Sequence, residues 1–201
     1  MTKPVIGFIG LGLMGGNMVE NLQNKGFELV VMDLNKDAVA KVVARGGTTA
    51  GSPKELAAAS DIVMLCLTTS AVVESIVYAE DGILAGIREG AVLVDFGTSI
   101  PASTRKIGAD LAAKGAGMVD APLGRTPAHA KDGLLNIMAA GDQDTFDKVK
   151  PVLDDQGENV FYLGALGAGT GRTPEQAHAV IEAGAQFIGG QGLQEPDVRA
   201  E

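Results

Sequence analysis

A glycine-rich turn near the start of the chain is the feature that most constrains its fold. Gly10, Gly12 and Gly15 are spaced as G-x-G-x-x-G, directly after the apolar run 5–9 and before a segment with helical character. In such a turn the first glycine permits a tight bend, the second lets the backbone approach a ligand, and the third lets the helix pack on the sheet. Three glycines alone are weak evidence, but a strand before them and a helix after them indicate the first βαβ unit of a doubly wound sheet.

An acidic residue at a matching distance extends this interpretation. Asp33 lies 18 positions after Gly15, at the end of a second apolar run, 29–32. A carboxylate there accepts hydrogen bonds from the adenosine ribose of a dinucleotide, whose pyrophosphate meets the N–H groups at the helix N-terminus. It also disfavours a 2′-phosphate, so NAD is expected and NADP remains possible, because Lys36 is close by. The predicted cofactor-binding residues in this part of the chain are Gly10, Gly12, Leu13, Met14, Gly15, Asp33, Leu34 and Asn35.

Strands and helices are predicted to alternate along the rest of the chain. Unbroken apolar runs are typical of parallel strands that are covered on both faces. The predicted strands are 5–9, 28–33, 48–50, 61–67, 91–95 and 118–120, with two additional strands at 134–139 and 159–163. The predicted helices are 14–25, 53–59, 71–77, 102–114 and 142–154. The pattern predicts an α/β fold, a doubly wound, Rossmann-type, mostly parallel sheet with helices on both faces.

Hydroxyl side chains follow two of the later strands. Thr68 comes after the fourth predicted strand, and Thr98 and Ser99 come after the fifth. Ligands of such sheets bind outside the carboxyl ends of the strands, so Thr68 and Thr98 are predicted to contact the nicotinamide half of the cofactor. Ser70 and Ser99 stand just before predicted helices, where a serine is often a helix cap. Both roles remain open for these hydroxyls.

Composition excludes several classes of partner. The net charge of -9 argues against nucleic acid and anionic membranes, and an anionic ligand would need a local positive site. No apolar run approaches membrane length, and no secretory signal pattern is present, so a soluble cytoplasmic protein is expected. Cys66 is the single cysteine, inside an apolar run, which indicates a core thiol and excludes an intrachain disulfide. Two scattered histidines give no sign of a metal site.

Several segments of the chain resemble a known family. Residues 7–18 are similar to the signature of the β-hydroxyacid dehydrogenases, which include 3-hydroxyisobutyrate dehydrogenase and are related to 6-phosphogluconate dehydrogenase. The likeness continues through 95–99, 120–122, 133–141 and 164–169. The resemblance implies hydride transfer between a nicotinamide and a small hydroxy acid or aldehyde acid. It also implies an NAD(P)-binding domain over 1–165, with 166–201 as a remnant of the interdomain helix plus a polar tail, without the family's C-terminal helical domain.

The chain departs from the family pattern in the expected substrate loop. Most members carry Ser-Gly-Gly where this chain has Gly124, Arg125 and Thr126. This is similar to the sulfolactaldehyde reductases of the family, and it implies that these three residues bind a small anionic substrate. Arginine supplies a rigid fork of donors that suits an oxyanion. The alternative is an ordinary surface arginine.

A second departure concerns catalysis. The family places a catalytic lysine at the position of Thr173, so the catalytic residue is unknown. Two functions therefore remain open: an oxidoreductase crippled by the loss of that lysine, or a non-catalytic dinucleotide-binding module from a truncated or diverged dehydrogenase. His129 and His178 are expected to be surface or cap histidines. Loss of the helical domain would expose apolar surface around Leu163, Ala165 and Leu166, which predicts a homo-oligomer.

Overall fold

Strands and helices alternate in the computed structural model of the chain, which describes residues 3–169. The strands are β1 (Ile6–Ile9), β2 (Leu29–Met32), β3 (Thr48–Thr49), β4 (Ile62–Leu65), β5 (Val92–Asp95), β6 (Gly117–Asp120), β7 (Leu123–Gly124), β8 (Leu135–Gly141) and β9 (Gly157–Tyr162). The helices are α1 (Leu13–Asn24), α2 (Lys36–Val43), α3 (Pro53–Ala59), α4 (Ser70–Tyr78), α5 (Ile83–Gly86), α6 (Pro101–Ala112), α7 (Pro127–Lys131) and α8 (Gln143–Gln156).

The first six strands form a parallel sheet in the order β3-β2-β1-β4-β5-β6. The order reverses between β1 and β4, and this switch point is where open α/β sheets bind their ligands. Beside β6 lies β8, which is antiparallel to it and pairs Gly141 with Val119. Strand β7 is antiparallel to β8 and β9 is parallel to it, so the sheet continues beyond the six parallel strands.

The two faces of the sheet are covered by different helices. Successive side chains of a strand point to opposite faces, so neighbours such as Phe8 and Ile9 enter different clusters. Phe8 packs with Met18 of α1 in a cluster that also takes in α2 and α8. Ile9 packs with Leu56 of α3 in a cluster shared with α4, α5 and α6. Burial on both faces explains why these strands are apolar throughout rather than alternating.

The fold class expected from the sequence is confirmed, although several short elements were not predicted. Strand β7 has only two residues and helix α5 only four, too few for a periodic pattern. Helix α2 was also missed, although Asn35 caps it by accepting hydrogen bonds from the backbone N–H groups of Asp37 and Ala38. Helix α7 follows Thr126 inside the expected substrate loop. Within residues 3–169, no helix is both long enough and apolar enough to cross a membrane.

Candidate functional site

Two of the three glycines of the turn are required by the fold itself. Gly10 has a φ of +101°, and a Cβ there would lie 2.3 Å from the carbonyl oxygen of Cys66. A Cβ on Gly15 would lie 1.9 Å from the carbonyl oxygen of Gly10, because α1 packs directly on the turn. Both distances are far below van der Waals contact, so the backbone itself fills the space that a side chain would need. These two glycines therefore serve the close approach of strand, turn and helix.

Gly12 is different, because no described atom lies within 4 Å of the place where its Cβ would be. Its φ of -64° is one that any residue adopts, so the free domain does not need glycine there. Gly12 is also the N-cap of α1, which has no side-chain cap and no acidic residue in its first turn. The first N–H groups of a helix lack intrahelical partners and carry a partial positive charge. The turn therefore forms an open cradle that fits an anion such as a pyrophosphate.

Asp33 lies immediately after β2, beside this cradle. Its Oδ2 accepts a hydrogen bond of 2.5 Å from the backbone N–H of Leu11, and its Oδ1 accepts one of 2.7 Å from that of Asn35. The side chain is half-buried, whereas that of Leu34 is 99% exposed. Each carboxylate oxygen can accept a second hydrogen bond, so Asp33 is able to order the turn and still receive ribose hydroxyls.

The hydroxyl side chains singled out by the sequence lie in the loops after β4 and β5. Thr68 and Thr98 are exposed at the carboxyl ends of β4 and β5, where the sequence predicted them. Of the two roles left open for Ser70 and Ser99, that of helix cap is not the one observed. Thr69 caps α4, and Ile100 occupies the N-cap position of α6, because Pro101 takes the first helical position.

Ser70 and Ser99 instead form hydrogen bonds within and between the loops after β4 and β5. The Oγ of Ser70 accepts a 2.7 Å hydrogen bond from the backbone N–H of Ile100, which joins the loop after β4 to the loop after β5. Ser99 is buried, and its hydroxyl donates a 2.6 Å bond to Asp95. Of the hydroxyls considered in these loops, Thr98 is therefore placed to meet a ligand after β5, and Ser99 is not.

Two buried carboxylates at this edge were given no role by the sequence reasoning. Asp95 and Asp120 end the neighbouring strands β5 and β6, pair in register, and are both 0% exposed. Burial raises the pKa of Asp95, while the Ser99 hydroxyl and the Gly97 N–H oppose that rise. Burial also raises the pKa of Asp120 to about 6. The backbone N–H groups of Gly167 and Gly169 oppose this rise, and the negative charge of Asp95 adds to it. The available signal was the position of both acids at the ends of apolar strands.

The side chain of Arg125 is engaged within the protein. Its Nη1 donates a 2.8 Å hydrogen bond to the carbonyl oxygen of Leu134, and the guanidinium forms an ion pair with Glu158 of β9. Arg125 also has a φ of +79°, a left-handed conformation that is uncommon for a residue with a side chain. The hydroxyl of Thr126 forms a 2.8 Å hydrogen bond with Nδ1 of His129. The predicted anion-binding loop is thus held in place, with its guanidinium partnered by an acid.

The remaining predicted residues lie in three different settings. Leu163 and Leu166 are half-buried rather than exposed, and Leu166 packs against the cluster of α3 to α6; Ala165 is exposed. Cys66 is half-buried, and desolvation together with the charge of Asp95 raises the pKa of its thiol to about 11. Thr173 and His178 lie outside the described residues, as does most of the 166–201 segment.

The part of the chain that contains the glycine turn, Asp33 and the sheet matches a known family model. Residues 5–164 match the NAD binding domain of 6-phosphogluconate dehydrogenase. The chain belongs to this family. It is an NAD-binding domain.

Known relatives of this NAD-binding domain are hydroxy-acid enzymes. The chain is 38% identical over 170 residues to the 2-(hydroxymethyl)glutarate dehydrogenase of Eubacterium barkeri, a match that covers 84% of this chain and 56% of that protein. It is 35% identical over 164 residues to the 3-sulfolactaldehyde reductase of Escherichia coli K12, covering 82% and 55%. The solved 3-hydroxyisobutyrate dehydrogenase of Mycobacterium tuberculosis, with L-serine, superposes with a TM-score of 0.79 at 29% identity, covering 90% and 59%.

The matched relatives are longer than this chain, and their identities to it are similar. The chain spans about half the length of the curated relatives that it matches. Identity to the sulfolactaldehyde reductase, at 35%, is no higher than identity to the glutarate enzyme, at 38%. A special relationship to sulfolactaldehyde reductase is therefore not confirmed by overall similarity, and it rests on the 124–126 loop alone.

Proposed function

We propose that the chain is the cofactor domain of an oxidoreductase of the β-hydroxyacid dehydrogenase type, which transfers hydride between NAD(H) and a small anionic aldehyde or hydroxy acid. The observation that carries the proposal is the open cradle at Gly12, where the free domain needs no glycine, beside the Asp33 carboxylate. The bound nicotinamide would supply the hydride. The chain's own residues would hold the pyrophosphate at the N-terminus of α1 and the adenosine ribose at Asp33.

Asp33→Ala is expected to weaken NADH binding by about 10- to 100-fold, because two charge-assisted hydrogen bonds to ribose hydroxyls are lost. NADPH should lose less or even gain, since the carboxylate that repels its 2′-phosphate is removed. Calorimetric titration of wild type and variant with both nucleotides measures this change. Asp37→Ala is the matched control, because Asp37 is an exposed acid only four positions away at the start of α2.

The ratio of the two affinities separates recognition from simple loosening of the turn. Asp33 also accepts the N–H of Leu11, so its loss would weaken both nucleotides if the turn merely became disordered. A parallel loss for NADH and NADPH would therefore count against ribose recognition by Asp33. Failure of the wild-type chain to bind either nucleotide would remove the proposed function.

The finer substrate proposal is a sulfonate- or carboxylate-bearing aldehyde of the sulfolactaldehyde or tartronate semialdehyde kind, bound by Gly124, Arg125 and Thr126. Its support is an arginine in the loop that follows β7, together with the 35% identical sulfolactaldehyde reductase. Because Glu158 pairs with this guanidinium, a substrate anion must displace or share that carboxylate. Glu158 would then tune the affinity for the anion.

Glu158→Gln is expected to strengthen binding of methanesulfonate to the NADH-saturated chain by about 3- to 10-fold, because it removes a charged competitor for Arg125. Arg125→Lys should abolish that gain, since lysine lacks the planar fork of donors. Asp154→Asn is the control, because Asp154 is an equally exposed acid in an ion pair with Lys150 on α8. Equal methanesulfonate affinity in wild type, Glu158→Gln and Arg125→Lys would refute anion binding by Arg125.

A second candidate function is dinucleotide binding without catalysis. The observation that favours it is Thr173, which stands where the resemblance places the catalytic lysine. His129 lies three positions after Thr126 of the substrate loop, and its Nδ1 is paired with the Thr126 hydroxyl rather than with an acid. Oxidation of NADH with tartronate semialdehyde or sulfolactaldehyde separates the two functions. A rate above that of the buffer would exclude the non-catalytic module.

A further inference from the structure

The last described stretch of the chain, residues 164–169, folds back onto the carboxyl edge of the sheet; we call it the exit segment. Its Gly164 carbonyl accepts a 2.8 Å hydrogen bond from the N–H of Gly141 at the end of β8. Leu166 lies so close to α6 that a Cβ on Gly108 would come within 2.2 Å of it. The family match ends at residue 164, so this segment is where the chain leaves the NAD-binding domain.

Asp120 at the end of β6 holds this segment. Its Oδ1 accepts a 2.7 Å hydrogen bond from the backbone N–H of Gly167, which lies 47 positions further along the chain. Its Oδ2 is buried, without a hydrogen-bond partner in the part of the chain that the structure describes. A Cβ on Gly169 would lie 2.7 Å from that same oxygen. Both oxygens of one fully buried carboxylate are therefore turned toward the exit segment.

The charges around Asp120 come from few elements. Strand β5 contributes Asp95, whose negative charge opposes ionisation of Asp120, and Cys66 beyond β4 is held as a thiol. Helix α6 contributes Arg105, whose Nη1 lies 3.0 Å from where a Cβ on Gly167 would be. Strand β8 and the exit segment contain no ionisable side chain. A buried carboxylate beside a second one, with one oxygen unpartnered, favours the form that carries a proton.

We propose that Asp120 is a positioning residue that clasps the exit segment onto the carboxyl edge of the sheet, and that the clasp is tighter when Asp120 carries a proton. The reason is linkage. Both oxygens of the carboxylate face the exit segment, so opening the segment would hydrate them. Desolvation is the largest effect on the pKa of Asp120 and outweighs the N–H groups of Gly167 and Gly169, which favour the ionised form, so the closed state binds a proton more tightly than an open, hydrated one. Protonation therefore favours closure, and ionisation favours opening. Closure also holds Leu166 against α6. This inference goes beyond the proposed function and does not depend on it.

The test follows the backbone amide of Gly167 in the complete chain by two-dimensional NMR without any nucleotide. In wild type, its chemical shift should titrate with a midpoint near pH 6, the pKa of Asp120. Its hydrogen-exchange protection factor, corrected for intrinsic exchange, should fall about tenfold between pH 5 and pH 7. Asp120→Asn should abolish both effects, and Asp95→Asn should move the midpoint to lower pH.

Asp142→Asn is the matched control, because Asp142 is an exposed acid whose side chain caps α8 by accepting a hydrogen bond from the N–H of Thr145. It should leave the Gly167 titration unchanged. A Gly167 shift that stays flat from pH 4.5 to pH 7.5 in wild type would overturn the proposal. So would a titration that persists unchanged in Asp120→Asn. The wild-type measurement decides the matter even if a variant fails to fold.

Discussion

Gly12→Val is expected to weaken NADH binding by at least about 100-fold, while the free energy of unfolding of the free domain falls by only about 1 kcal/mol, because valine is a poorer N-cap of α1 than glycine. The Cβ of residue 12 would enter open space, and the φ of -64° is acceptable to valine. The new side chain would occupy the cradle where the pyrophosphate must approach the N–H groups of α1. Calorimetric titration with NADH and thermal unfolding of the same samples measure the two effects.

Gly10→Ala is expected to show the opposite pattern at the other end of the turn. Its Cβ would meet the Cys66 carbonyl at 2.3 Å with a φ of +101°, so the free energy of unfolding should fall by about 2–4 kcal/mol. Gly46→Ala isolates the contribution of the dihedral, because Gly46 has a φ of +92° and no described atom around its Cβ position. It should cost about 1 kcal/mol. If Gly12→Val destabilised the free domain as much as Gly10→Ala, the open cradle would lose its support.

The different roles of Gly10 and Gly12 show which features of the fold could be predicted from the sequence and which could not. The spacing predicted the turn, its strand and its helix, since each glycine acts on neighbours close in the chain. Which glycine serves the fold and which is left for a ligand depends on Cys66, more than fifty positions away. Unbroken apolar runs likewise predicted the six parallel strands, because burial on both faces requires apolar residues at every position of a strand.

Contacts between distant side chains were beyond the reach of sequence reasoning. Arg125 was identified as an anion-binding candidate, but nothing local indicated that Glu158 would pair with it. Asp120 was recognised only as part of a family motif, because its partner Gly167 lies 47 positions further along the chain. Long-range pairing depends on how strands and loops are assembled, and a local pattern does not contain that information.

Asp120 should raise the free energy of unfolding of the domain as the pH falls, which is opposite to the usual destabilisation by acid. The pKa of Asp120 is raised from 3.8 to about 6 in the folded chain. A raised pKa gives stability that is fully present below the unfolded value and is lost as pH rises through the folded value. Carboxylates with lowered pKa values, such as Glu20 beside Lys131 and Arg45, contribute in the opposite sense. The total pH profile therefore mixes both effects.

Comparison with Asp120→Asn isolates the contribution of this one group, because all other acids are common to both proteins. From pH 7.5 to pH 4, the unfolding free energy of wild type should gain about 2 kcal/mol relative to that of the variant. Urea unfolding at several pH values measures this difference, and Asp142→Asn should give a much smaller one. A difference that shrinks toward acid pH would mean that the folded domain lowers the pKa of Asp120 and stabilises its ionised form. The exit segment would then be held by an ordinary charged hydrogen bond, and its closure would tighten rather than loosen as pH rises.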